Sequence, residues 1–535
     1  LWKPLEGLTA NIKFSWDAWN TTIQRRSKTS SYYHARGRNE DGTLRYDELD
    51  GIKVPVHTGS ENLAFGIGRD GTMTRYVEGS LNYNRLFNDV HRVGALFLYN
   101  HKIHTKTQAG SSDAALPYKN QGIAGRLTYA FRDTYFAEVN MGYNGSENFA
   151  RGHRFGFFPA FALGWMVSSE KWFEPVTKVV DMLKLKGSWG TLGNQNLDKA
   201  YPAEPLLTNA YSAVFGKPSA IYPGYQLSYL PNPHLRWEKV EAWEVGAEAN
   251  FLRNRLHFEG VYYKKTTKDL LAEVPGISGT VPGIGNLGSI ENKGVELAVS
   301  WRDQIGDWGY NVGANLTTIK NKVLSLVQEG YSIIAGDKSQ SYTMAGYPIG
   351  YFYGYKVEGV YQTQEEINNS PKNTLATVTP GDLKFKDVDG NGEITPADRT
   401  LIGDPTPDVT YGITLGVTYK NWELGLDMMG QAGNQIFRTW DNYNWSQFNF
   451  MKQRLERWHG PGTSNTQPLL NTKHTINNLN SEYYIEDGSF FRIRNVQLAY
   501  NFDKTLISKI GMQALKLYVN IQNLKTWKHN TGYTP

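Results

Sequence analysis

Along most of the chain, apolar and polar residues alternate with a period of two. Between Tyr411 and Tyr419, the residues Tyr411, Ile413, Leu415, Val417 and Tyr419 fall on one face, and Gly412, Thr414, Gly416 and Thr418 on the other. Successive side chains of an extended chain point to opposite sides, so the alternation predicts a strand with one apolar and one polar face. Lys420 and Asn421 then read as a turn, after which Trp422, Leu424, Leu426 and Met428 alternate with Glu423, Gly425 and Asp427. The same criterion predicts strands near 6–19, 73–86, 89–103, 120–131, 134–146, 154–167, 182–193, 236–252, 255–268, 292–302, 307–321, 408–419, 422–436, 489–501 and 515–523.

Two environments produce such strands: the core of a soluble sandwich, or the lipid around a membrane barrel with a watery lumen. Ring placement favours lipid, because Tyr411 and Tyr419 close both ends of one apolar row, where interfacial aromatics belong. Eight steps of about 3.3 Å give about 26 Å along the strand, or about 20 Å along the membrane normal after a tilt of about 40°. Polar positions such as Arg126, Glu138, Asn140, Glu244, Glu248 and Glu296 recur on strand after strand, and a dry sandwich core would reject them. They are expected to face the lumen.

Connections sort by parity. Tight turns are predicted at 87–88, 132–133, 253–254, 306–307 and 420–421, and long connections near 20–72, 104–119, 194–235, 269–290, 322–407 and 437–488. Short turns on one side and long loops on the other is the asymmetry of outer-membrane barrels, with the long loops extracellular. The segment Tyr351–Tyr361 also alternates, but counting it as a membrane strand would break this parity. It is therefore expected to form an extracellular hairpin or plate within 322–407. The predicted fold class is an all-β antiparallel transmembrane β-barrel. Fifteen strands is an odd number, whereas single-chain bacterial barrels are even, so a partial barrel is expected.

Composition narrows the alternatives. Aromatic residues make up 13% of the 535-residue chain and mean hydropathy is −0.50, which sets it apart from disordered chains and from helical membrane proteins. No window is apolar enough for a transmembrane helix, and no apolar leader stands near Leu1. There is no Cys, so disulfides and thiolate chemistry are excluded. A net charge of +5 is too small to point to nucleic acid.

Specific wording adds a family. Leu235-Arg236-Trp237-Glu238 and Trp243 to Glu248 are followed by Phe251 to Leu256, then by Asn292-Lys293-Gly294-Val295-Glu296. Pro380-Gly381-Asp382 opens a run to Gly392, then Asp398 to Pro405, Glu486-Asp487-Gly488-Ser489 and Gln522 to Trp527. This series, in this order, closely resembles the SusC/RagA-like TonB-dependent transporters of Bacteroidota outer membranes. The resemblance implies a 22-stranded barrel with an N-terminal plug, a SusD-like surface lipoprotein over its mouth, and import of oligosaccharides or peptides with energy from TonB. On that reading residues 1–535 supply about 15 strands of a partial barrel and 322–407 is an extracellular insertion. Six strands would precede Glu6 and one would follow Leu524, with plug and TonB box outside this chain. The protein would be no enzyme. Rival readings are a TonB-dependent receptor for a siderophore or cobalamin, a passive porin, and a soluble surface β-protein that binds glycans.

One stretch has metal chemistry. Asp387, Asp389 and Asn391 stand at positions 1, 3 and 5 of an EF-hand-type loop, with Gly392 at 6, Glu393 at 7 and Asp398 at 12. A hard cation needs this density of oxygen around a tight glycine turn, so Ca²⁺ is the expected ion, with Glu393 contributing its backbone carbonyl. The alternative is an acidic turn kept for its shape. No organic cofactor is expected: Gly283-Ile284-Gly285 with Gly288 fits a dinucleotide pattern, but it precedes a strand rather than a helix. Rings crowd the last long loop at Phe437, Trp440, Tyr443, Trp445, Phe448, Phe450 and Trp458, where they either stack on sugars or pack the loop itself.

Overall fold

The computed structural model describes residues 6–60, 62–109, 115–197, 201–216, 220–274, 281–328, 330–439, 450–470 and 475–532. Its framework is one antiparallel sheet of fifteen strands joined in chain order. They are β1 (Leu8–Ser27), β2 (Ala64–Phe87), β3 (His91–Lys106), β4 (Tyr118–Phe131), β5 (Tyr135–Ser146), β6 (Phe155–Met166), β7 (Val180–Asn194) and β8 (Glu238–Phe251). Next come β9 (Leu256–Lys268), β10 (Gly288–Ile305), β11 (Trp308–Thr318), β12 (Val409–Tyr419), β13 (Trp422–Ala432), β14 (Phe490–Asn501) and β15 (Lys516–Lys528). Every span that alternation predicts falls on one of these strands. A sixteenth segment, Lys320–Leu326, continues past β11 and stays paired with β10. β1 and β2 run beyond the predicted ends, because their pairing carries on to Ser27↔Ala64 in sequence too polar to read as membrane strand.

The tight turns lie where they are predicted. Asn88, Arg132, Asp133, Arg253, Asn254 and Lys420 all take left-handed backbone conformations. Such turns match the twist of the strands they join. Two connections on this side are longer and helical: Val167–Ser169 with Lys171–Lys178, and Lys504–Ile507 with Ser508–Ile510.

Register turns the alternation into two continuous faces. Val312, Leu415, Leu426, Val496 and Ile521 pair in one row from β11 to β15. Trp308, Tyr419, Trp422 and Tyr500 form the row at the tight-turn end, where Trp308 stacks on Tyr419 at 4.3 Å. Tyr411, Phe491 and Trp527 mark the opposite end, with centroids 6.4 and 5.6 Å apart. Residues of this apolar face are open: Phe14 is 70%, Leu163 69% and Val245 59% exposed. A contiguous aliphatic surface bounded by two aromatic belts is what a lipid-facing wall requires and what a water-soluble protein avoids.

Dry cores lie elsewhere, one of them formed by Phe149, Phe158, Leu235, Trp237 and Ile284. Tyr355, Val360, Leu383, Phe385, Ile394 and Ile476 form a buried cluster at the long-loop end of β10–β14. It draws on two loops far apart in sequence, 322–407 and 450–488. Of the hairpin or plate expected for Tyr351–Tyr361, the hairpin does not form: its two strands join separate small sheets of the loop. Tyr351–Gly354 joins a sheet with Ser341–Met344 and Thr400–Gly403, whereas Val357–Val360 pairs with Leu383–Phe385. The chain is redirected at Gly354 and Tyr355, where Tyr355 bridges to Ser481 in parallel. A Cβ on Gly354 would lie 2.2 Å from the Asn480 carbonyl oxygen, so this approach requires glycine.

Candidate functional site

The polar face carries paired charges. Arg126 bonds Glu138 at 2.7 Å across β4 and β5, and Asn140 Nδ2 donates to the same carboxylate at 2.8 Å. Glu244 and Glu296 line a cavity of about 300 Å³ with Lys186 and Glu259, which are ion-paired. Glu248 stands directly opposite Glu259, so the cluster is net acidic despite Lys186. The six polar positions singled out in the sequence thus form two groups on one wall. Lys186 and Glu259 complete the second group, and the signal for them was the same parity that marks Ser188 and Val261. Water-filled surroundings suit these half-exposed pairs, which contribute little to stability on their own.

The wall changes at β11 and β12. There the polar face reads Gly309, Asn311, Gly313, Asn315 and Thr317 against Thr418, Gly416, Thr414, Gly412 and Thr410. Four of these five cross-strand pairs set a glycine opposite an amide or hydroxyl. No charged residue stands among the ten, so these two strands form a neutral, hydrogen-bonding lane between the charged positions of β10 and β13.

The loop module is held by buried polar groups as well as by its core. Asp382 is fully buried and accepts from Thr379 N at 2.8 Å and from Asn477 Nδ2 at 2.9 Å. Asn477 Oδ1 in turn accepts from Leu383 N at 2.8 Å, so a single carboxylate–amide pair clasps the two loops. Glu486 accepts from Arg438, from Thr531 N at 2.8 Å and from its hydroxyl at 2.6 Å, which ties the module to the end of β15. The Pro380-Gly381-Asp382 and Glu486-Asp487 wording is therefore explained by loop architecture. Phe437 lies against Phe352 and Tyr484 at 5.8 and 5.6 Å, and Trp458 packs on the core with Nε1 donating to Gln362. These two rings pack the loop. Phe450 is 37% exposed, and Trp440, Tyr443, Trp445 and Phe448 lie outside the described residues. Burial pushes the Tyr351 hydroxyl up to about 12, so it remains neutral within its tyrosine cluster.

The acidic loop folds on itself. Carboxylate oxygens of Asp387, Asp389 and Asp398 come within 4.8 Å of one another. Asp387 accepts from Gly390 N at 2.7 Å and Gly392 N at 2.8 Å, Asp389 from Asn391 N at 3.1 Å, and Asn391 Oδ1 from Glu393 N at 2.8 Å. Asp398 is fully buried and caps the Pro396–Asp398 turn through Thr395 N at 2.7 Å while accepting from Val388 N at 2.8 Å. Burial works to raise the Asp398 carboxyl. Bonds from Thr395, Val388 and Asp389 outweigh it and hold the group below the usual carboxylate range. A depressed pKa stabilises the folded loop at neutral pH, and the gain is lost only as pH falls through that lowered value. The Asp387 and Asp389 oxygens each accept one hydrogen bond and retain a second lone-pair direction, whereas both Asp398 oxygens accept two, so Asp387 and Asp389 are the carboxylates freest to bind a hard divalent cation. Glu393 turns its side chain toward Lys372 at 3.9 Å, which leaves its carbonyl as the group of that residue suited to a cation.

A family model described as TonB dependent receptor-like, beta-barrel, matches residues 3–524. TonB-dependent receptor P3 of Formosa agariphila is 29% identical over 558 residues, covering 99% of this chain and 53% of the relative. TonB-dependent receptor SusC of Bacteroides thetaiotaomicron is 27% identical over 419 residues, covering 75% of this chain and 39% of the relative. Among solved structures, the RagAB peptide transporter superposes with a TM-score of 0.78 at 20% identity, over 99% of this chain and 57% of that one. The chain spans about half the length of the curated relatives it matches.

Proposed function

The chain belongs to the TonB dependent receptor-like β-barrel family, and on that premise we propose that it imports an oligomeric nutrient, an oligosaccharide or a peptide, together with a SusD-like surface lipoprotein and with energy delivered by TonB. The family is one of outer-membrane receptors and transporters rather than enzymes, so the apolar face lies in lipid. The observation that carries the proposal is the extracellular module, in which two loops share one hydrophobic core and one buried Asp382–Asn477 clasp. Loops that merely close a pore have no need of a folded core, whereas a rigid platform suits a large partner surface. A neutral amide and hydroxyl lane beside a charged wall suits polar, oligomeric cargo. SusC and P3 are the relatives that support this reading.

Purification of the full-length protein from its own host in mild detergent tests the partnership. A surface lipoprotein should co-purify in equal amount, through an interface above about 2,000 Å². Deletion of the gene should abolish uptake of the oligomer while monomer uptake continues. Loss of ferric-chelate or cobalamin uptake instead, with no lipoprotein recovered, would replace this reading with the chelate-receptor one.

We further propose that Asp387, Asp389, Asn391, the Glu393 carbonyl and Asp398 hold Ca²⁺ as a structural ion. Three carboxylates this close repel one another, and a divalent cation relieves the repulsion. Hydrogen exchange across 387–398 should slow on adding millimolar Ca²⁺ and quicken with a chelator, and Asp387→Ala should abolish the difference without impairing membrane assembly. Identical exchange with and without Ca²⁺ would leave the loop as a plain acidic turn.

A further inference from the structure

The lipid-facing side of β4–β8 is not smooth. A cavity of about 690 Å³ opens on it, walled by Tyr135, Leu163, Trp165, Leu185 and Val245. It exists because small residues interrupt the aliphatic rows. Leu163 pairs with Ala137 on one side and with Gly187 on the other, and Gly187 pairs with Val245. Its lining is overwhelmingly apolar, and its flanks are among the more exposed aliphatic side chains of the wall.

One end of the groove is marked. Tyr135 and Trp165 both donate to Glu170, the Trp165 Nε1 bond measuring 3.1 Å. These two donors hold the Glu170 carboxyl below its usual range, so it is an anion at neutral pH. Glu170 begins the helical connection Lys171–Lys178, which lies on the tight-turn, periplasmic side. There Trp172 is 62% and Val179 55% exposed, next to the exposed charges of Lys171, Glu174 and Lys178. Trp172 sits 6.4 Å from Trp165, so groove and helix share one aromatic boundary. An amphipathic turn with exposed apolar rings belongs at the membrane interface, and its charges then lie at the depth of the lipid headgroups.

We propose that this groove binds one acyl chain of a zwitterionic, amine-bearing glycerophospholipid of the periplasmic leaflet, with its phosphate at Lys171 and its ammonium at Glu174, one 3-10 turn further on and on the same face. Two features select this occupant. The groove opens toward lipid and is lined by hydrocarbon, which suits an acyl chain. The helix at its end offers both signs of charge within eight residues, which complements a zwitterion better than a purely anionic headgroup. The bound lipid would brace the β6–β7 connection against the wall.

The test is native mass spectrometry of the full-length protein, released into mild detergent from bilayers of phosphatidylethanolamine and phosphatidylglycerol in equal parts. Wild-type protein should retain a phosphatidylethanolamine adduct. Gly187→Leu fills the groove at a position where a Cβ would lie an ordinary 3.7 Å from the Glu244 carbonyl oxygen. It should lower retention by about tenfold or more, the equivalent of displacing about two buried methylenes. Ala137→Leu should do the same by an independent route, and Ala314→Leu, on the lipid face of β11, should change nothing. Lys171→Glu should erase the headgroup preference. Retention unaffected by both groove-filling variants, absence of any adduct on the wild type, or preference for phosphatidylglycerol would each overturn the proposal.

Discussion

Leu415→Arg should impair outer-membrane assembly, whereas Thr414→Arg, one residue away, should be tolerated. Leu415 is the middle residue of the row from Tyr411 to Tyr419 and pairs with Val312 and Leu426, so it stands near the bilayer midplane. A cation placed there costs about 2–4 kcal/mol, because no counter-charge or water is within reach in hydrocarbon. Thr414 points the other way. Its neighbours in register are Gly313 and Asp427, which offer space and an opposite charge. Heat-modifiable mobility of the outer-membrane fraction reads the difference directly. Equal damage from the two substitutions would mean that the faces are wrongly assigned.

The second large effect is expected outside the membrane. Phe385→Ala should loosen the long-loop module and leave the barrel intact. Phe385 is 1% exposed and stacks on Tyr355 at 4.8 Å with the rings 10° from parallel. Truncating a ring so enclosed removes its burial and leaves a cavity, at a cost of about 3–5 kcal/mol. Among the described residues the module has one such cluster, and Ile394, Leu383 and Ile476 all contribute to it. Limited proteolysis should therefore cut both 322–407 and 450–488 in the variant, since each loop is the other's support. Co-purification of the lipoprotein partner should fall in parallel. Cleavage confined to one loop would show that the two fold independently.

The wall was legible in sequence for a simple reason. Lipid on one side and water on the other impose a period of two on every strand, and turn residues such as Asn88, Asp133 and Lys420 punctuate it. Even the aromatic belts could be read from Tyr411 and Tyr419, although their partners Phe491 and Trp308 required register. The module was not legible. Its defining contacts join residues about ninety or more apart, as in Asp382 with Asn477 and Val357 N with Glu482, and no local pattern encodes such pairing. Tyr351–Tyr361 stayed open between hairpin and plate because alternation marks each short strand but says nothing of which neighbour it takes. The acidic loop is intermediate. Its spacing is visible in sequence and its carboxylates do converge, but the caps that Asp387 and Asp398 provide to the backbone depend on the fold.

The arrangement of strands, module and connections across the membrane is the claim on which the rest depends. The chain has no cysteine, so single replacements report without background. Ala397→Cys, Ser508→Cys and Leu415→Cys can be treated with a membrane-impermeant maleimide in intact cells, then after permeabilising the outer membrane. Position 397, in the extracellular module, should label in intact cells. Position 508, in the β14–β15 connection, should label only after permeabilisation, and position 415 in neither state. Labelling of 508 in intact cells with 397 protected, or ready labelling of 415, would contradict the account.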